Sequence, residues 1–88
     1  MYYGNINKKL NIMELNEFVN LFADQFDDTD PAEITSETYF RELEEWSSLT
    51  GLAILNAVSK KCNVSLTPTE FRSCETVKEV YDLIQSKA

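Results

Sequence analysis

The residues with the clearest claim to chemistry are the adjacent serines of Glu44-Glu45-Trp46-Ser47-Ser48-Leu49-Thr50-Gly51-Leu52. They precede a run with helical spacing, so their hydroxyls fall at a first helical turn, where backbone N–H groups lack intrahelical acceptors. Three kinds of chemistry are open to a hydroxyl there. It can cap the helix by accepting one of those N–H groups. It can act as a nucleophile if a base activates it, but the chain has no histidine and only distant lysines. Or it can accept a phosphodiester made by another enzyme, because a phosphate there would lie against free N–H groups and the positive end of the helix dipole.

Composition narrows these options. Eighty-eight residues make one small domain. Fifteen Asp and Glu against eight Lys and Arg leave a net charge of −7, a surface that repels nucleic-acid phosphates and suits partners with basic patches. With no histidine, the commonest proton shuttle and metal ligand is missing. There is also no paired-carboxylate site and no phosphate-cradling glycine loop, so an enzyme is not expected. Cys62 and Cys74 lack metal-type spacing and stand at apolar positions, which reads as two buried free thiols in a reducing cytoplasm. The run Asp27-Asp28-Thr29-Asp30 lacks the later glycine and terminal glutamate of a calcium loop and reads as a solvated loop. No metal site is expected. No segment approaches the ~18 apolar residues of a membrane span, and the start lacks a signal-peptide core.

The serines must be positioned by helices. Leu15, Phe18, Val19, Phe22, Ala23 and Phe26 form one apolar stripe, predicting a first helix over residues 12–26 with Asn11 and Glu14 capping its start. Residues 1–12 are polar and aperiodic and precede a second methionine at Met13; they read either as a flexible extension to a domain of residues 13–88 or as an artefact of where the start is placed. Asp30-Pro31 breaks the pattern, and a long connection runs to Trp46. Within it Ile34, Tyr39, Phe40 and Leu43 are expected to turn inward, and Trp46 to anchor the loop. The second helix starts at Ser47 or Ser48 and runs to about Lys61. It is apolar nearly all round, with Gly51, Ile54, Leu55, Val58 and Cys62 facing the core and Leu49, Leu52, Ala53, Asn56 and Lys60 on the other side. Thr67-Pro68-Thr69-Glu70 combines a capping box with proline at the first helical position and predicts a short helix over residues 68–73. Thr76-Val77-Lys78-Glu79 opens a last helix with the stripe Val77, Val80, Tyr81 and Ile84. The fold class is all-α: three longer helices and one short one, with a long loop between the first and second.

Ile34, Phe40, Leu43, the stretch Trp46-Ser47-Ser48-Leu49-Thr50, a central helix, a short helix opened at Thr67-Pro68 and a last helix opened at Thr76-Val77 follow in an order that resembles the acyl carrier protein family over about residues 13–87. The phrase around the serines is most similar to carriers that read W-D-S-L-T, in which the D-S-L serine carries 4′-phosphopantetheine. The resemblance implies a four-helix bundle of the acyl-carrier type with Ser48 as the attachment point of covalent 4′-phosphopantetheine. It implies a phosphopantetheinyl transferase as the modifying partner and acyl-activating or acyl-transferring enzymes as the others. The cargo would be an acyl or aminoacyl group held as a thioester. The chain itself would be a monomer that catalyses nothing.

One position and one helix face depart from the family pattern. Ser47 stands where the aspartate would be, which keeps a capping side chain but removes a negative charge from the helix start. The exposed side of the second helix, where the family presents acidic docking residues, offers Thr50, Ala53, Asn56, Ser59 and Lys60, and the carboxylates lie upstream at Glu42, Glu44 and Glu45. In one reading Ser47, Leu49, Leu52, Glu44 and Glu45 form the docking surface of a specialised carrier. In the other the domain is a degenerate, unmodified carrier fold used as an interaction module. A helical adaptor unrelated to carriers would use the serines as caps and have no groove leading inward from Ser48.

Overall fold

The computed structural model describes residues 13–87. Four α-helices follow one another: α1 (Leu15–Ala23), α2 (Ser48–Cys62), α3 (Pro68–Arg72) and α4 (Val77–Lys87). Two 3-10 turns, Pro31–Glu33 and Phe40–Glu42, punctuate the connection between α1 and α2. This is the expected all-α bundle of three longer helices and one short one. The extension over residues 1–12 and the cap at Asn11 lie outside the described residues.

Local signals account for most helix ends. The Glu14 N–H donates to Glu17 Oε1 at 3.0 Å where α1 begins. Thr67 and Glu70 form the reciprocal capping box of α3, with Pro68 at its first position. The Glu79 N–H donates to Thr76 Oγ1 at 3.2 Å at the start of α4. α2 ends at Asn63, whose φ of 56° is the left-handed conformation that asparagine tolerates at a helix end.

α1 is shorter than its stripe suggests. After Ala23 the bonds tighten, with the Gln25 N–H donating to the Phe22 carbonyl and the Phe26 N–H to the Ala23 carbonyl, although Phe26 stays buried. The chain is leaving the helix to reach a partner far along the sequence. The Glu45 carboxylate accepts the N–H groups of Asp27 at 2.7 Å, Asp28 at 3.0 Å and Thr29 at 2.8 Å, and the Thr29 hydroxyl at 2.6 Å. The side chains of Asp27, Asp28 and Asp30 are exposed, as a solvated loop requires, but the backbone of that loop is held.

These donors favour the ionised carboxylate, and the Thr29 hydroxyl above all holds the Glu45 pKa below the usual carboxylate range. A lowered pKa in the folded state contributes stability above the unfolded value of about 4.3, and that contribution is lost as pH falls through the folded value. Glu45→Gln should therefore be less stable than the parent near neutrality, with the gap closing on acidification below about pH 4. Urea midpoints measured for both proteins across that range would show it, and a gap independent of pH would count against the charged clamp.

The core is built on Phe18, Phe22, Phe40, Ile54, Val58, Val77, Val80 and Ile84, none more than 1% exposed. α1 packs directly on α4, with the Phe18 and Tyr81 rings 5.5 Å apart and the Tyr81 hydroxyl donating to the Met13 carbonyl at 2.7 Å. The long connection lies over the start of α4, whose first-turn N–H groups would otherwise be orphans. Val77 donates to the Thr38 carbonyl and Lys78 to the Ser36 carbonyl at 2.8 Å. Ile34 and Phe40 turn inward as expected, and Leu43 and Trp46 pack partly against the core. Tyr39 does not: it is 51% exposed. Its neighbour Phe40 takes the inward direction at the turn, while the Tyr39 backbone pairs with Thr76 at an isolated bridge.

Candidate functional site

The two serines have different jobs. Ser47 is the N-cap of α2, in extended backbone conformation, and its Oγ accepts the Thr50 N–H at 3.3 Å. Ser48 is the first helical residue. Its side chain is exposed, and its hydroxyl has no hydrogen-bond partner among the described residues. Among the described residues the N–H groups of Ser48 and Leu49 have no acceptor, at the head of a fifteen-residue helix that carries no acidic residue in its first turn. An anion esterified to the Ser48 hydroxyl would meet these donors and the positive end of the helix dipole. Ser47→Ala should lower the Tm by about 4–8 °C, the equivalent of about 1 kcal/mol for a lost N-cap in a domain of this size. Thermal unfolding followed by circular dichroism measures it.

Ser48 stands at the edge of a groove of about 360 Å³ between α2 and α3. The walls are apolar, made by Trp46, Leu52, Leu55 and Phe71, and no carboxylate among the described residues lines it. Its depth depends on Gly51. A Cβ there would come within 3.0 Å of Trp46 Cη2 and 3.2 Å of Cζ2, so glycine, at a cost of about 1 kcal/mol to the helix, lets the indole approach α2 closely. Trp46 is the loop anchor the sequence suggests, with its ring 5.4 Å from Phe40 and 6.1 Å from Phe71.

Arg41 escapes sequence reasoning altogether. Its Nη1 donates to the Cys74 carbonyl at 2.6 Å and its Nη2 to the Phe71 carbonyl at 2.8 Å, which ties the connection to the end of α3. The guanidinium lies 4.8 Å from the centre of the Phe40 ring and 5.5 Å from that of Phe71. Its partners are 30 and 33 residues away, so no local spacing could reveal it. Arg41→Met keeps much of the stem but leaves two carbonyls without their charged donor, and should cost about 2 kcal/mol. The urea midpoint followed by Trp46 emission would register the loss.

The residues expected to dock partners are divided by the fold. Leu49 and Leu52 are 77% and 55% exposed, so the second stripe of α2 does face solvent. Glu44 is exposed, whereas the Glu45 carboxylate is engaged by the α1–α2 loop. Glu44 and Glu45 do share one feature, a shallow depression of about 510 Å³ bordered also by Asp28, Asp30 and Glu33. It does not include Ser48 and is a charged surface rather than a ligand cavity. Cys62 and Cys74 are buried free thiols, and burial pushes both pKa values up. Neither competes as a nucleophile near neutral pH. Among the described residues no cluster could hold a metal ion, and no helix is long and apolar enough to cross a membrane.

A helical bundle that presents an unpartnered serine at the head of its central helix is the architecture of a carrier domain. The chain belongs to the phosphopantetheine attachment site family, which matches residues 16–84. No match is found among curated proteins or among solved structures. The resemblance to acyl carrier proteins therefore holds, and an unrelated helical adaptor is excluded. The domain is a non-catalytic carrier whose cofactor is covalent 4′-phosphopantetheine, and its partners are enzymes that modify it or handle acyl groups. The residues at the head of α2 fit that group: an exposed hydroxyl, two orphan N–H donors and an adjoining groove free of carboxylates.

Proposed function

We propose that Ser48 carries the phosphopantetheine and that the protein delivers an acyl or aminoacyl group to partner enzymes. The observation that carries this reading is the exposed, unpartnered Ser48 hydroxyl beside the orphan N–H groups of Ser48 and Leu49, with Ser47 already used as the cap. When bound, the arm supplies a terminal thiol that holds the cargo as a thioester. In the loading step, on a phosphopantetheinyl transferase, Ser48 Oγ forms a bond to the phosphorus that bears the pantetheine. The bond from that phosphorus to adenosine 3′,5′-bisphosphate breaks, and the hydroxyl proton passes to a base of the transferase. The orphan N–H groups then stabilise the phosphodiester charge.

Docking in this reading centres on Leu49 and Leu52, with Ser47 beside them and Glu44 and Glu45 supplying charge. The hydroxyl of Ser47 adds no repulsion to an incoming phosphate, in contrast to the aspartate of its relatives. Because Glu45 is locked to the α1–α2 loop, its charge is held in a fixed place, and Glu44 is the carboxylate free to move toward a basic partner. The test is the intact mass of the protein after incubation with coenzyme A, magnesium and a broad-specificity transferase. One added phosphopantetheinyl group on the parent and on Ser47→Ala, and none on Ser48→Ala, is the expected result. An unmodified parent, with transferases from the native host included, would leave an unmodified interaction module as the better reading.

A further inference from the structure

The charge of the groove beside Ser48 is opposite to that of the molecule. The chain has a net charge of −7 and only two arginines, and both line this groove. No carboxylate among the described residues accompanies them there. Elsewhere the cations are partly spoken for, with Lys78 on Asp82 at 2.9 Å and Lys87 on Glu70 at 2.8 Å. Arg41 is committed to the Phe71 and Cys74 carbonyls, and on its other side borders Glu42 and Glu75, so its charge is shared. Arg72, at the last position of α3, is exposed and has no ion-pair or hydrogen-bond partner among the described residues. An apolar wall with one uncommitted guanidinium at its edge suits a short apolar body that ends in an anion.

We infer that this groove selects among cargoes, seating a short acyl group that bears a carboxylate, with Arg72 meeting the carboxylate, and leaving aminoacyl groups unseated. The inference rests on Ser48 being the attachment point. An ammonium group brought into the groove would meet the Arg72 guanidinium and find no carboxylate among the described lining residues. A carboxylate would replace solvent around Arg72 with a planar, two-pronged partner. Tethering at Ser48 raises the local concentration of the cargo, so a contact of modest strength suffices to change how often the cargo is seated.

The experiment loads the full chain, through coenzyme A analogues in which a stable amide replaces the thioester, with butyryl, succinyl or β-alanyl groups. Intact mass verifies each product. Seating is read from the NMR shifts of the Trp46 indole N–H, the Leu52 and Leu55 amides and the Arg72 Nε–H, in the parent and in Arg72→Gln. The succinyl form should be seated about two- to fivefold more than the butyryl form, the scale set by one partly exposed ion pair. The β-alanyl form should resemble the arm without cargo. Arg72→Gln should remove the succinyl preference while leaving the circular dichroism of the fold unchanged. Equal or greater seating of butyryl, or a succinyl preference that survives Arg72→Gln, overturns the inference. So does an Arg72 shift complete in the arm without cargo, which assigns the anion to the phosphodiester. In these cases the mass gain still supports attachment, whereas absence of any mass gain at Ser48 defeats the attachment reading and this inference together.

Discussion

Ser48→Ala should fold as the parent does and gain no phosphopantetheine. The expectation has two halves, and the structure supplies a reason for each. Removing the hydroxyl breaks no hydrogen bond, since Ser48 Oγ has no partner among the described residues and Ser47 is the residue that caps α2. Alanine is also a better helix former than serine by a few tenths of a kcal/mol, so the Tm should stay within a few degrees of the parent's. Covalent loading, by contrast, needs the oxygen itself and should fall to nothing. The comparison with Ser47→Ala makes the test sharp, because the two adjacent serines predict opposite results. Ser47→Ala loses stability and keeps the modification. If both variants lost the modification, Ser47 would be a recognition element for the transferase as well as a cap. If Ser48→Ala were modified, the attachment point would lie elsewhere.

The second large effect is structural. Phe40 is completely buried, and its ring lies 5.1 Å from Phe22, 5.4 Å from Trp46 and 5.3 Å from Phe71. It is the contact through which α1, the long connection, the groove wall and α3 all meet. Phe40→Ala removes a whole aromatic side chain from that junction and should cost about 3–5 kcal/mol. Single domains of this size have little more than that in total. With a urea dependence of about 1–1.5 kcal/mol/M, the midpoint should fall by about 2–5 M, leaving much of the population unfolded without denaturant. Tyr39→Ala is the control: an adjacent aromatic residue, half exposed, whose loss should change stability by no more than about 1 kcal/mol. Similar losses for the two variants would mean that the connection is held by its backbone bonds to α4 rather than by the Phe40 ring.

The two effects are linked through Trp46. The indole packs on Phe40 and lies across Gly51, so damage to the junction opens the groove wall next to Ser48. Emission from this single tryptophan reports on fold and groove alike.

What the sequence determined by itself is local. Helices α2 and α4 and the helical nature of α1 follow from apolar periodicity, α3 follows from its capping box and first-turn proline, and the start of α4 from Thr76-Glu79, because these signals act within a few turns. The doublet Ser47-Ser48 was legible as a helix start for the same reason, and family resemblance pointed to Ser48. The extent of α1 was overestimated because a stripe records which residues are buried, not which are helical, and Phe26 is buried beyond the helix end. Only the tertiary structure decided the rest. It separated the cap from the free hydroxyl, turned Tyr39 outward and Phe40 inward, and joined Arg41 to the end of α3. It also used Glu45, a glutamate that reads as part of a docking surface, to hold three backbone N–H groups 16 to 18 residues away. Such contacts depend on the path of the whole chain, which no spacing within a turn records. The positive groove in an acidic protein arises in the same way, from arginines 31 positions apart in the chain (72 − 41) that folding brings to the walls of one site.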